Sequence, residues 1–436
     1  MQKVEKIKSL DLLSVFLLIT FASSATIFTR SIQTWEQPLA LVLLFLIGVF
    51  FVIRYSIQLS TKFARLLLMF LVYFVLLTIK FGEWHYKFLL IYPLTFFIAY
   101  TTVVSLKTSF FFYYETCLKY LCLIALFLWS LQIVIPGPLT DFLRSLTLFK
   151  PYNEIIQAHV IVFSILNEGV DSFLPRNSGF AWEPGAFSVF INLAIFSNLI
   201  RNSFRIKNNR NLLIYIIALL STQSTTGYSM FLLLAVFYFI NLKGIAFKVL
   251  LVPLFIFGVL YILSLPFMYE KITSLGNEKI SDLVETGTKD WNKDKMVGAQ
   301  RFVSFQMDFI DFMNNPILGY GGHDEDMWTR KEKINIVSIS GIGKILAKFG
   351  LVGTLFLVIV LYKNSIQFSK YFNYKGKLLL FLIILQISIS YSLIENALLL
   401  CFWMFFFFNS SLIENKSASQ KIKFISNRIK ANNEYV

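Results

Sequence analysis

The sequence predicts an all-α polytopic membrane protein with about twelve transmembrane helices. The chain has 436 residues, of which 56% are hydrophobic, and its mean hydropathy is +0.66, well above that of a soluble protein of this length. Apolar runs near the roughly 20 residues needed to cross a bilayer recur along the chain. Basic residues are concentrated in every second connection between these runs. Together these features predict a single integral membrane domain covering residues 1–436.

Twelve runs are predicted to span the membrane, and the shortest is 211–223. They are 9–28, 38–57, 63–79, 88–106, 115–136, 185–200, 211–223, 227–242, 247–266, 342–362, 378–392 and 395–412.

The positions of Lys and Arg predict that both termini are cytoplasmic. In this orientation the inside segments hold 22 basic residues, whereas the four short outside turns hold only Arg30, Lys80 and Lys87. Basic loops facing anionic lipid headgroups account for most of the net charge of +15, so we expect membrane lipids and no nucleic acid as partners. Residues 22–25 could form a signal-peptide cleavage site. Cleavage there would invert the charge pattern, so we interpret the first run as an uncleaved helix.

Two enlarged loops, 137–184 and 267–340, fall on the same, extracytoplasmic side in this topology, and 413–436 is predicted to be a basic cytoplasmic tail. All three cysteines fall in predicted helices, so no disulfide is expected in the loops. The predicted spans carry few ionisable side chains, which argues against an ion-coupled carrier. Polar residues concentrated in two same-side loops indicate chemistry at the membrane surface, on a lipid-linked substrate.

The first loop ends in a segment suited to binding phosphate, RNSGFAWEPGAFS at 176–188. Glu183 followed by Pro184 predicts the start of a helix. Arg176 and a helix N-terminus both bind phosphate oxygens, and Gly179 allows a close approach of the backbone. The alternative is that Trp182 is an interfacial anchor, Glu183 caps the helix and Arg176 contacts lipid headgroups.

The second loop contains an amphipathic stretch. Phenylalanines recur at helical spacing from Phe302 to Phe312, which predicts a helix that begins at Arg301 and lies on the helix bundle or the membrane surface. A glycine-rich turn at 314–328 follows, containing Tyr320 and His323. His323 could be a base or could orient a neighbour, or it could be an exposed loop residue.

Three further segments are open to more than one interpretation. The acidic run 324–326 could bind a metal, but a solvated turn is the preferred interpretation. Residues 154–170 are predicted to form a re-entrant or surface amphipathic helix. Residues 221–229, rich in hydroxyl groups, could line a sugar-binding cavity or form an ordinary polar turn, and the turn is slightly preferred.

Taken together, these segments resemble the O-antigen polymerase (Wzy-type) family, within the larger group that includes the O-antigen ligases. The resemblance covers most of the chain: the number of spans, the two enlarged loops and four local motifs. The motifs are R-x-x-G-F-x-x-E-P-G at 176–185, the polar segment 221–229, Arg301 with N-P-I-L-G-Y-G at 315–321, and K-F-G-L-V-G at 348–353.

This resemblance implies a glycosyltransferase on the outer face of a bacterial cytoplasmic membrane. It would move a glycan from polyprenyl diphosphate onto the non-reducing end of a lipid-linked repeat unit, without a cofactor or metal. Arg176 and Arg301, with Arg330 as a third candidate, would stabilise the departing diphosphate, and Glu183 or His323 would act as the base. Gly179, Trp182 and Tyr320 are the other expected substrate-binding residues. A chain-length regulator and a flippase are candidate partners.

The agreement with the family is partial. Its polymerases carry an R-x10-G motif in each large loop, and here only Arg330 and Gly341 have that spacing. Ligases typically carry a histidine where this chain has residues 338–340, which favours a polymerase. A ligase remains the nearest alternative. A flippase or exporter of the same lipid-linked sugars, and a non-catalytic scaffold, are the alternatives from other classes.

Overall fold

The computed structural model describes residues 8–22, 26, 37–147, 156–166, 174–207, 209–241, 253, 280–289 and 297–409. The predicted span 247–266, except for residue 253, and the tail 413–436 lie outside these residues. Residues 148–155 and 167–173 of the first loop and 267–279 and 290–296 of the second loop also lie outside them. The described chain is mostly helical. Five helices are long and apolar enough to cross a membrane: Thr61–Phe81, Phe88–Leu106, Ser109–Val134, Pro184–Arg201 and Gly341–Phe372. Five shorter apolar helices accompany them.

The helices before the first large loop follow the predicted runs closely. They are α1 (Ser9–Phe21), α2 (Gln37–Tyr55), α3 (Thr61–Phe81), α4 (Tyr86–Leu106) and α5 (Ser109–Val134). Helix α6 (Pro136–Ser145) lies in the first large loop. The first run is shorter than the predicted 9–28. Its helix ends at Phe21, and Thr26 instead forms a β-bridge with Ala181.

The later helices of the described chain lie before, within and after the second large loop, and three of them lie inside it. The full set is α7 (Pro184–Arg201), α8 (Arg210–Ser221), α9 (Thr225–Asn241), α10 (Ile280–Lys289), α11 (Arg301–Asn314), α12 (Trp328–Lys331), α13 (Gly341–Phe372), α14 (Leu379–Ser390), α15 (Ala397–Trp403) and α16 (Phe405–Phe408). The predicted span 395–412 is thus two short helices in its described part.

Two small sheets accompany the helices. Strands β1 (Ile156–Val160) and β2 (Phe163–Leu166) form an antiparallel hairpin where a surface helix was predicted. The predicted helix 154–170 is therefore wrong in this part. Ile156 and Ala158 are buried, and the register of the hairpin shifts between them. In the second loop, β3 (Val297–Gly298) pairs in parallel with β4 (Ile336–Val337).

Helix α7 lies at the centre of the bundle, and nearly all of its side chains are buried. It contacts α5, α8 and α9. Gly227 of α9 allows the closest of these approaches, because a Cβ there would lie 2.5 Å from the Ser188 Cβ. Small residues at helix crossings let backbones approach in membrane bundles. Helix α7 therefore holds its N-terminus, at Pro184, in a fixed position.

Ionisable groups inside the bundle are more numerous than expected from the sequence. Asp11 is buried in α1 and accepts a 2.7 Å hydrogen bond from the Tyr55 hydroxyl. Glu115 is buried in α5, where Arg201 donates to it at 2.9 Å. Each buried carboxylate has a donor, as burial of a charge requires. These pairs hold helices together and lie apart from the loop segments described next.

Candidate functional site

The first large loop returns to the bundle at the ends of α8 and α5. The Asn177 amide nitrogen donates to the Ser221 hydroxyl at 2.9 Å, and the Asn177 backbone N–H donates to the Ser221 carbonyl at 2.9 Å. The Trp129 indole donates to the Pro175 carbonyl at 2.6 Å. These buried bonds fix the backbone on both sides of Arg176.

Gly179 is required by this local geometry. Its φ of +51° is left-handed, and a Cβ there would lie 2.6 Å from the Phe187 ring. The Ser164 hydroxyl of the hairpin donates to the carbonyls of Gly179, at 3.3 Å, and Ala181, at 2.8 Å. The hairpin thus holds the segment that leads into α7. Gly179 thus has a packing role, and its contact with substrate stays a prediction.

Helix α7 begins as the sequence predicts, with Pro184 at its first turn and Glu183 at the N-cap position. The Glu183 side chain does not cap the helix. It forms a hydrogen bond with Tyr391, a residue at the end of α14. Gly185 makes this possible, because a Cβ there would lie 1.8 Å from the Tyr391 hydroxyl oxygen. The simple capping role considered for Glu183 is therefore wrong.

Arg301, from the second large loop, contacts the same tyrosine. It is the first residue of α11, as predicted, and is half-buried. Its guanidinium donates to the Thr226 hydroxyl at 3.1 Å and to the Tyr391 hydroxyl at 3.4 Å, and its Cζ lies 5.4 Å from the Tyr391 ring centroid. Thr226 also lies 3.3 Å from the Ser390 hydroxyl. These contacts aim the guanidinium at the end of α14.

Arg176 acts on Tyr391 electrostatically, more weakly than Glu183 and Arg301 do. We call Arg176, Glu183, Arg301 and Tyr391 the arginine cluster. Its two guanidinium groups are permanently charged and outnumber its one carboxyl group. Arg176, Glu183 and Arg301 are half-buried, whereas Tyr391 is buried. The cluster is thus a partly open, net positive site at the N-terminus of α7, suited to an anion.

Trp182 and Gly341 complete the surroundings of Tyr391. The Trp182 ring packs edge-on to the Tyr391 ring, with centroids 6.2 Å apart. A Cβ on Gly341 would lie 2.2 Å from the Tyr391 carbonyl oxygen, so only glycine fits there. Gly341 is the glycine of the R-x10-G spacing. Its arginine, Arg330, is exposed on α12, and none of its described bonds joins it to the cluster.

His323 lies in a different place. It is buried against the turn between α3 and α4, with its ring centroid 4.6 Å from Phe81 and 5.2 Å from His85. None of its described contacts is with the arginine cluster. The interpretation as an exposed loop residue is wrong, and the structure does not bring His323 together with Glu183.

Tyr320 is also buried, and it belongs to a loop that pairs with a break in α13. The helix is interrupted at Gly350, which has φ +60°. The backbone groups released there are paired with the turn: Tyr320 donates to Ala347 at 3.0 Å and Leu351 donates to Pro316 at 2.8 Å. The motifs at 315–321 and 348–353 are therefore joined to each other. Tyr320 has a structural role here, and its predicted substrate contact is not tested.

The polar segment 221–229 is partly a helix rather than a turn, since Thr225–Ser229 form the start of α9. Thr226 is the member that contacts Arg301. The acidic run Asp324–Asp326 forms a short 3-10 turn, and Asp326 pairs with Lys331 at 3.1 Å. Among the described residues, no group of three or more metal-ligating side chains is placed to hold an ion.

Sequence reasoning missed Tyr391 and Ser390 as members of this site, and it singled out Thr226 only as part of the polar segment 221–229. Tyr391 ends an apolar run, and 208 residues separate it from Glu183 in the chain. Its only local signal is a polar S-x-S-Y segment at 388–391 within hydrophobic surroundings.

Comparison of the chain with family models, with curated proteins and with solved structures found no match.

Proposed function

We propose that the chain is a polymerase of polyprenyl-diphosphate-linked glycan repeat units. The observation that supports this most is the arginine cluster, in which two large loops contribute Arg176, Glu183 and Arg301 around Tyr391. A diphosphate leaving group carries negative charge that grows as its bond to the sugar breaks. Preorganised guanidinium groups and a helix N-terminus stabilise such charge.

In the proposed reaction, an acceptor hydroxyl oxygen attacks the anomeric carbon at the reducing end of the donor glycan. A new glycosidic bond forms, and the bond from that carbon to the diphosphate oxygen breaks with its electron pair. Arg176 and Arg301 hold the released polyprenyl diphosphate. Glu183 takes the proton of the acceptor hydroxyl, and Tyr391 orients Glu183 and Arg301 through its hydroxyl group.

Several features support a site at the membrane surface. The cluster lies at the ends of α7, α9 and α14, and the described protein has several apolar helices that fit a membrane-embedded chain. The proposed location is the outer face of a bacterial cytoplasmic membrane, with donor and acceptor both anchored by lipid. In this account Arg330, exposed on α12, does not contact the diphosphate.

Chain-length analysis of glycans in a deletion strain tests this function. Arg301→Ala and Arg176→Ala should each abolish long glycans and leave single repeat units on the carrier lipid. Arg301→Lys should restore little, because a point charge cannot reproduce a bidentate fork. Arg144→Lys is the matched control, since Arg144 lies in the same first loop as Arg176 but is 61% exposed and pairs only with Asp141 among the described ion pairs.

Other outcomes would identify other functions. Long glycans stranded on the carrier lipid would indicate a ligase, and repeat units trapped on the cytoplasmic leaflet would indicate a flippase. Full-length polymer in both alanine variants would contradict the assigned role of the arginines.

A further inference from the structure

An apolar cavity of about 160 Å³ lies between α3, α4, α13 and α15. Its walls are mostly aromatic and aliphatic side chains, and they include Phe70, Phe96, Phe356 and Met404. An engineered apolar cavity of similar volume accommodates benzene. This cavity therefore has room for a short segment of a hydrocarbon chain rather than for a sugar.

One end of the cavity is polar. Glu395 lies there and forms an ion pair with the Lys348 ammonium group at 3.1 Å. The Tyr92 hydroxyl is hydrogen-bonded to both side chains. Tyr73 also lines the cavity, and its hydroxyl donates to the Leu318 carbonyl at 2.6 Å. The polar end thus lies beneath the turn that pairs with the break at Gly350.

The remaining lining residues are apolar and lie further along the same helices. Phe96 is one turn beyond Tyr92 on α4, and Trp403 ends α15, which begins two residues after Glu395. The rim is open to the surroundings of the helices, since Met69 is 54% and Val352 is 48% exposed. A cavity with one polar end and an opening between apolar helix faces fits a membrane amphiphile.

The cavity begins close to the arginine cluster. Gly341 contacts Tyr391, and Ile345, four residues later on α13, lines the cavity. Four helical residues span about 6 Å. Glu395 lies four residues after Tyr391 in the chain. If the arginine cluster holds the phosphates of an amphiphile, the start of its hydrocarbon chain therefore lies next to this cavity.

We propose that this cavity holds the first isoprene segment of the polyprenyl chain whose diphosphate the arginine cluster binds. The proposal rests on the proposed function for the identity of the lipid. Bulk phospholipid is the competing occupant, because its acyl chains are also apolar.

Photolabelling of the purified full-length protein in detergent tests this inference. The probes are a polyprenyl diphosphate with a diazirine in its first isoprene units, and a phosphatidylglycerol with a diazirine in its acyl chain. The isoprenoid probe should label Met69, Phe349 and Phe356, and the acyl probe should label them at least about tenfold less. Val352→Trp, which fills the rim, should reduce isoprenoid labelling of these residues about tenfold. Leu355→Trp is the matched control, since Leu355 lies on the same helix with 50% exposure but does not line the cavity.

Equal labelling by the two probes, or unchanged isoprenoid labelling in Val352→Trp, would overturn the inference. Labelling needs no turnover, so it separates this inference from the proposed reaction. If polymerisation proves absent while the isoprenoid probe still labels the cavity selectively, the reaction is wrong and the cavity assignment stands. If the arginine variants stop polymerisation but labelling fails, the cavity assignment alone is wrong.

Discussion

At the scale of single residues, Tyr391 links the two loops. Its hydroxyl contacts Arg301 and Glu183, and its ring packs against Trp182. The neighbouring glycines 185 and 341 have no room for a side chain because Tyr391 occupies that space. The position of Arg301 thus depends on contacts to α9 and α14 rather than on its own helix alone.

Asp308, on the buried face of α11, is the residue whose titration the structure affects most clearly outside the spans. It accepts a 2.7 Å hydrogen bond from the Ser338 hydroxyl, and burial raises the pKa of its carboxyl group to about 7. Lys344, which lowers this pKa, and Asp311, which raises it, act on it with smaller effects. The folded protein therefore holds this proton more tightly than the unfolded chain, whose Asp pKa is about 4.

Stability should consequently fall as pH rises from about 4 to about 7, because ionisation of Asp308 opposes the folded state. Asp308→Asn should remove this fall. The difference in melting temperature between the variant and wild type should therefore shift by roughly 2–5 °C in favour of the variant between pH 5 and pH 8. Thermal unfolding in detergent measures this. Asp141→Asn is the control, because that carboxyl group is 77% exposed. A parallel pH dependence in Asp308→Asn and wild type would contradict the expectation.

At the scale of elements, α11 buries several polar side chains and exposes aromatic ones. Its buried face holds Ser304, Asp308 and Asp311 together with Val303 and Met307, whereas Phe302 is 57% and Phe309 is 43% exposed. The polar face is buried because it hydrogen-bonds with residues 338 and 339. The exposed phenylalanines fit contact with lipid, the environment expected beside apolar spans.

The break in α13 is the second element that shapes this region. A Cβ on Gly350 would lie 2.4 Å from the Ile317 carbonyl oxygen, and the backbone there has a positive φ. Gly350→Ala should therefore destabilise the protein by roughly 1–3 kcal/mol. Differential scanning calorimetry of the detergent-solubilised variant measures this loss of stability.

Gly137→Ala is the matched control for this substitution. Nothing lies within 4 Å of a Cβ at Gly137, and its φ is not positive, so no loss is expected. If Gly350→Ala had the same melting temperature as wild type, the pairing of the 316–321 turn with this break would not contribute to stability.

At the scale of the whole molecule, local sequence patterns predicted the features that depend only on residues close together in the chain. The starts of α7 at Pro184 and α11 at Arg301 follow from proline at a first turn and from helical spacing. Most ends of the described helices lie within a few residues of the predicted apolar runs, because the length of an apolar run sets the length of its helix.

Long-range contacts could not be predicted in this way. The segment 348–353 contains Gly350 and Gly353, which permit a break without requiring one, and its pairing with residues 316–321 accounts for the break at Gly350. His323 was considered with Glu183 because both are titratable, yet it packs on Phe81 and His85. The hairpin 156–166 was not predicted, because its apolar residues also suit a surface helix.

The central claim is that Arg176 and Arg301 hold one diphosphate together. A double-mutant cycle on polymerisation by purified protein, using Arg176→Lys, Arg301→Lys and the double variant, tests it most directly. If both arginines act on one leaving group, the double variant should be little slower than the slower single variant, because either loss already disrupts the clamp. Rate losses that multiply independently, with no coupling between the two positions, would contradict the account.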